Sequence, residues 1–132
     1  MPDQVTQPPL ILIVDDEPDF LEIFGVKLRA EGFRVETAEN GAVALKKMKA
    51  LKPDLVLMDV KMSVMDGATA VLKMREDPEI KDIKVAFLTS LGDPRLEMVE
   101  VNKRFSEEFG AQGFLKKTDD LDLLCAKIKE FI

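Results

Sequence analysis

Short apolar runs alternate with longer stretches of helical spacing along this chain. Leu10-Ile11-Leu12-Ile13-Val14 is an unbroken apolar run, rich in β-branched residues, that stops at Asp15. Such a run predicts a strand buried on both faces. Pro18 suits the first turn of a helix, where its missing N–H costs nothing. That helix is expected to carry Phe20, Ile23, Phe24 and Leu28 inward and to end near Gly32. Phe33 to Ala38 alternates and predicts an edge strand. Asn40 is a candidate N-cap for a second helix, with Val43, Ala44, Leu45 and Met48 on its buried side and Pro53 just past its end. Leu55-Val56-Leu57-Met58 predicts a third strand, ending at Asp59. Asp66-Gly67 reads as the cap and turn of a helix that contains Ala70, Val71 and Met74 and stops before Pro78. Ile83 to Leu88 predicts a fourth strand, ending at Thr89. Asp93-Pro94 opens a long helix reaching about Phe109. Gly113 to Lys117 predicts a fifth strand, and Asp119 or Asp120 caps a last helix carrying Leu121, Leu124, Ile128 and Phe131.

Five β-α units without a composition break imply a parallel sheet covered on both faces. The expected fold class is α/β: a flavodoxin-like three-layer α/β/α domain, (βα)5, with a five-stranded parallel sheet in the order 2-1-3-4-5. Residues 1–9, with three prolines, read as a disordered tail, and residues 10–132 as the domain.

Composition narrows the possible roles. The chain has 132 residues, 46% hydrophobic and 33% charged, and a net charge of −6. An acidic surface repels nucleic acid phosphates, which argues against direct nucleic acid binding. No apolar run is long enough for a membrane helix, and the N-terminus lacks the features of a signal peptide, so a cytoplasmic location is expected. There is no histidine, which removes histidine-based catalysis and histidine metal ligands. The single cysteine, Cys125, lies in an apolar helical pattern and reads as packing. Met48, Met58, Met62, Met65 and Met74 read as core filler.

Polar groups follow the apolar strands directly. Asp15 and Asp16 end the first, Asp59 the third, Thr89 the fourth and Lys117 the fifth. In open α/β sheets ligands bind beyond the C-terminal strand ends, at the switch in strand order, so these residues should converge. Three adjacent carboxylates repel one another, and a hard divalent cation relieves that repulsion. All-oxygen ligation suits Mg2+, with Mn2+ as a substitute. A carboxylate nucleophile, a metal, a lysine and a hydroxyl together fit phosphoryl transfer. Taken singly, each has a plainer reading: Asp15 to Glu17 as a helix start, Asp59 as a loop acid, Thr89 as a strand end, Lys117 as a solvated lysine.

With these residues in place, the chain resembles the receiver domain of bacterial two-component response regulators from Leu10 to Ile132. ILIVDDEPDF matches the family's acidic pair, PDLVLMDVKMSVMDG its phosphoacceptor segment, VAFLTS its hydroxyl-bearing fourth strand and GAQGFLKK its lysine-bearing fifth strand. The resemblance implies that Asp59 is the phosphoacceptor. It implies Asp16 as a direct metal ligand, Asp15 acting through water, Asp59 beside the metal, and the main-chain carbonyl of Lys61 as a further ligand. Thr89 and Lys117 would contact the phosphoryl group, and Thr89 with Phe114 would form the switch. A histidine kinase or phosphotransfer protein would be the donor. The surface of the fourth helix, fifth strand and fifth helix would meet a downstream protein, with homodimerisation on phosphorylation as a further possibility. The implied whole is a single-domain response regulator of a phosphorelay, which assists only its own phosphorylation and dephosphorylation and is not an enzyme. Lys61 and Leu91 would flank the phosphoryl site, either as plain solvent-facing side chains or as controls on water access.

Four features depart from the family pattern. Phe114 stands where tyrosine can occur. Ser63 replaces the usual proline after the phosphoacceptor. Thr118 follows Lys117 where a cis proline is usual, which predicts a trans bond or a rearranged loop. The stretch from Thr89 to Lys117 is longer than usual by about two helical turns. Lys116 is the rival for the lysine role, but strand alternation and the spacing from Phe114 favour Lys117. Two other functions remain: a receiver-like interaction module that is never phosphorylated, and a Mg2+-dependent phosphohydrolase. Against the second, Lys61 occupies the place of that class's second aspartate. Flavin binding is weaker still, since the chain has no tryptophan or tyrosine to stack on the ring.

Overall fold

The computed structural model describes residues 7–60, 65, 67–89 and 110–132. Its elements are β1 (Leu10–Val14), α1 (Pro18–Ala30), β2 (Arg34–Ala38), α2 (Gly41–Leu51), β3 (Leu55–Asp59), α3 (Gly67–Arg75), β4 (Lys84–Thr89), β5 (Phe114–Lys116) and α4 (Leu121–Phe131). The helix expected between Asp93 and Phe109 lies outside the described residues, so the last helix is α4 here. All strand pairs are parallel, as the alternation of strands and helices predicts, and the order is β2-β1-β3-β4-β5, as expected of the flavodoxin-like fold class.

Strand alternation divides the core into two layers. Ile11, Ile13, Leu55, Leu57, Ala86, Leu88 and Leu115 pack under Phe24 and Leu28 of α1 and Leu124, Cys125 and Ile128 of α4. Leu12, Val14, Val56, Met58, Val85 and Phe87 pack under Ala44 and Met48 of α2 and Ala70, Val71 and Met74 of α3. β1 and β3 are buried at every position because helices cover both their faces, which is why they read as continuous apolar runs. β2 alternates because it is an edge strand. Met48, Met58 and Met74 are core, Met65 is partly buried against it, and Met62 lies outside the described residues. Cys125 is buried, and burial pushes its thiol pKa up, so it is a packing residue with little thiolate character.

Helix ends follow local chemistry. Asn40 Oδ1 accepts the Val43 N–H at 2.9 Å, and Asp120 Oδ1 accepts the Asp122 N–H at 2.8 Å. Lys52 closes α2 in the left-handed region, at φ 50°. Between the two capping candidates at the last helix, the chain uses Asp120. The tail expected over residues 1–9 is tied down at its end. Arg34 donates to the Pro8 carbonyl through Nε at 2.8 Å and to the Pro9 carbonyl through its backbone N–H at 3.0 Å. Residues 1–6 lie outside the described residues.

One core expectation is corrected. Ile23 does not point inward: it is 58% exposed, and Val26 on the same helix is 60% exposed. The buried stripe of α1 runs through Phe24, Gly25 and Leu28, with Phe20 and Leu21 packed at its edge. Ile23 lies on the other side of that stripe.

Candidate functional site

The C-terminal ends of β1, β3, β4 and β5 meet on one edge of the sheet. Register makes the convergence specific. Val14 pairs with Met58, Met58 with Phe87 and Phe87 with Phe114, so Asp15, Asp59, Leu88 and Leu115 occupy the next level. Asp59 continues the alternation of Leu55 and Leu57, and Lys117 that of Leu115, which puts both on the α1/α4 side of the sheet. Thr89 and Phe114 alternate with Phe87 and Val85 toward the other side.

Asp15 is fully buried and Asp59 is 5% exposed, whereas Asp16 is exposed. Ligand oxygens of Asp15, Asp16 and Asp59 lie within 4.8 Å of one another. The Asp15 N–H donates to the Ala38 carbonyl at 3.0 Å, which fixes its backbone to the end of β2. Asp15 Oδ1 accepts the Glu17 N–H at 2.9 Å, turning the chain tightly into α1. Asp15 Oδ2 accepts no aligned hydrogen bond, and its partner is the Lys117 ammonium at 2.7 Å.

Lys117 sits among the acids. The backbone N–H of Lys117 donates to the Thr89 carbonyl at 2.8 Å, which anchors it to the end of β4. Besides Asp15, its ammonium contacts the Glu17 carboxylate, lies 3.7 Å from Asp59 Oδ2 and rests 4.9 Å from the centre of the Phe20 ring. Burial is the largest single influence on this ammonium and lowers its pKa. The Asp15 and Glu17 contacts and the Asp59 charge together outweigh burial and hold the pKa above the ordinary lysine value. Lys116 is exposed on the β5 edge, so the two candidate lysines are separated by position. The Lys117–Thr118 bond is trans, and Lys117 reaches the acids without the cis bond that a proline would favour.

Thr89 is half-buried, with its hydroxyl in a long, 3.5 Å contact to the Leu115 carbonyl. The Phe114 ring is half-buried and stacks on Phe87, centroids 5.2 Å apart. Lys61, Ser63, Asp66 and Leu91 lie outside the described residues.

Two residues matter here that the sequence pattern did not single out for this role. Glu17 is the N-cap of α1, yet its side chain makes no capping bond and goes to Lys117 instead. Gly67 reads from sequence as a turn residue, but its position is set by close approach. A Cβ built there would stand 2.3 Å from the Asp59 carbonyl oxygen. The Gly67 N–H also donates to the Val60 carbonyl at 3.0 Å, drawing the start of α3 against the end of β3. Replacing Gly67 by alanine should therefore push on the backbone of Asp59 itself. We expect a loss of about 2 kcal/mol in urea unfolding, as for other overpacked sites. An unchanged unfolding midpoint would show that the loop accommodates the methyl group.

The donor set fits a hard divalent cation. It consists of carboxylate oxygens only, two of the three carboxylates are buried, and Lys117 brings one positive charge to a group that also includes Glu17.

Comparison with known proteins agrees with this geometry. A sequence model described as the response regulator receiver domain matches residues 11–129. Response regulator PleD of Caulobacter vibrioides is 36% identical over 119 residues, covering 90% of this chain and 25% of that protein. The chain thus spans about a quarter of the length of that relative. Among solved structures, the chemotaxis protein CheY4 of Vibrio cholerae superposes with a TM-score of 0.82 at 26% identity, covering 95% of this chain and 99% of that one. Response regulator TrrA of Thermotoga maritima, solved in complex with Mg2+ and BeF, gives a TM-score of 0.76 at 31% identity, covering 94% and 99%. Receiver domains are phosphoacceptor signalling modules rather than catalytic enzymes, and histidine kinases phosphorylate them. Among the described residues no helix is long and apolar enough to cross a membrane. The acidic pocket at the sheet edge, the strand order and the family match over residues 11–129 make this chain a member of the response regulator receiver domain family.

Proposed function

We propose that this chain acts as a response regulator receiver in which Asp59 accepts a phosphoryl group from a histidine kinase or phosphotransfer protein. The observation that carries this reading is the packing of Asp15, Asp16 and Asp59 within 4.8 Å, with the Lys117 ammonium 3.7 Å from Asp59. In the transfer, an Asp59 carboxylate oxygen forms a bond to phosphorus. The donor's P–N bond breaks, or its P–O bond in the case of an acyl phosphate, and the leaving group departs with the bonding pair. Bound Mg2+ would supply charge neutralisation for the phosphoryl oxygens. Asp15, Asp16 and Asp59 would hold it, with the main-chain carbonyl of Lys61 as a further ligand, and Mn2+ would substitute. Lys117 pairs with a phosphoryl oxygen, and the Thr89 hydroxyl donates to another. The complex of the Thermotoga relative with Mg2+ and BeF supports the metal and phosphoryl sites together.

Phosphorylation then shifts a population. The state with Thr89 and Phe114 drawn inward is favoured, and the face bearing β5 and α4 changes toward a downstream protein. The half-buried Phe114, stacked on Phe87, has a place from which to move. The test is mass spectrometry after treatment with acetyl phosphate and Mg2+. A phosphoryl adduct at Asp59 is expected. A folded protein that takes up none would instead be a receiver-like interaction module that is never phosphorylated.

A further inference from the structure

Lys117 is held mainly by the β1–α1 turn and less by the phosphoacceptor. Its ammonium is 2.7 Å from Asp15 Oδ2 and in contact with Glu17, but 3.7 Å from Asp59 Oδ2. The turn is built for this arrangement. The Glu17 backbone N–H donates to Asp15 Oδ1, which ties the Asp15 side chain to the turn that carries Glu17, and Phe20 floors the ammonium from the first turn of α1. The Glu17 side chain makes no helix-capping bond, which leaves its carboxylate available to Lys117.

An ammonium has three donors. With Asp15 and Glu17 engaged, the phosphoryl group on Asp59 must share this cation with two carboxylates. Asp15 is fully buried and fixed by backbone hydrogen bonds, so it stays. The Glu17 side chain is 61% exposed and can exchange Lys117 for water. A phosphoryl group carrying two negative charges repels a neighbouring carboxylate and outcompetes it for the lysine.

We propose that Glu17 is a positioning residue: the resting partner that parks Lys117 at the mouth of the pocket and gives it up when Asp59 is phosphorylated. Glu17 opposes the phosphorylated state by the strength of its pairing with Lys117. This inference rests on the phosphoacceptor reading above and adds to it a resting partner for the lysine.

The test is the affinity for beryllofluoride at saturating Mg2+, measured by isothermal titration calorimetry because the chain has no tryptophan or tyrosine. Saturating metal removes any effect of Glu17 on Mg2+ binding. Glu17→Gln should bind about threefold more tightly than the wild type, the size expected of one solvent-exposed ion pair. Glu22→Gln, which removes an exposed acid farther along α1, should change affinity by less than about 1.5-fold if screening limits its reach. In a Lys117→Ala background the effect of Glu17→Gln should vanish, because the partner it releases is gone. Equal affinities for wild type and Glu17→Gln, weaker binding by Glu17→Gln, or a threefold effect that persists without Lys117 would each overturn the proposal. A wild-type protein that binds no beryllofluoride with Mg2+ would overturn the phosphoacceptor reading instead.

Discussion

Replacing Asp59 by asparagine should abolish phosphoryl uptake and, at the same time, stabilise the metal-free protein. The first effect is the loss of the nucleophile, and mass spectrometry after acetyl phosphate treatment reads it as a missing adduct. The second follows from the charge arrangement. Asp15, Asp16 and Asp59 crowd within 4.8 Å, and Lys117 is committed to Asp15 and Glu17 at closer range than to Asp59. Neutralising Asp59 relieves repulsion from two carboxylates and gives up one attraction, to Lys117 at 3.7 Å. The gain should be about 1 kcal/mol in chelator-containing buffer, or roughly 4 °C in melting temperature for a chain of this size. Added Mg2+ should reverse the order. Wild type has the full carboxylate set, and a ligand that binds only the folded state at a hundredfold excess over Kd stabilises by about 2.7 kcal/mol. A lower melting temperature for Asp59→Asn in chelator would show that Asp59 is held by attraction rather than crowded by its neighbours.

Most of the architecture was legible because a parallel sheet covered on both faces leaves a strong signature. β1 and β3 have no solvent face, so their runs are apolar throughout, and the first acid after each run marks the strand end. That is also why Asp15, Asp16, Asp59, Thr89 and Lys117 could be assigned to one edge: strand order brings these ends together. Helices were less exact. On α1, Ile23 and Leu21 flank the Phe24 position on either side, and spacing alone does not say which flank the sheet covers. The small residue Gly25 carries no hydrophobic signal, yet it is buried and marks the side that faces the core.

What stayed hidden at the site was contact over distance. An acid beside the start of a helix has a sufficient local explanation in the helix dipole, so nothing in the surroundings of Glu17 points to a lysine 100 residues later. Gly67 shows the same limit. A glycine after an aspartate reads as a turn, and only the fold shows that the Asp59 carbonyl lies where its Cβ would be.

Removing the Lys117 charge should have the largest effect on stability. The Lys117 side chain is 7% exposed, and its partner Asp15 is fully buried with no aligned hydrogen bond to Oδ2. Lys117→Ala leaves that carboxylate in a low-dielectric site beside Asp59 and Asp16 without its cation. Breaking a buried ion pair by removing one partner costs about 3–5 kcal/mol. The exposed Glu17 side of the pocket admits water, which favours the lower end, about 3 kcal/mol, or roughly 12 °C in melting temperature. The dependence on metal separates this cause from lost packing. Mg2+ placed among the same carboxylates supplies the missing positive charge, so the deficit measured in chelator should shrink markedly at saturating Mg2+. A deficit of equal size in both buffers would mean that Lys117 stabilises the fold through its contact with Phe20 and its aliphatic stem rather than through the Asp15 charge.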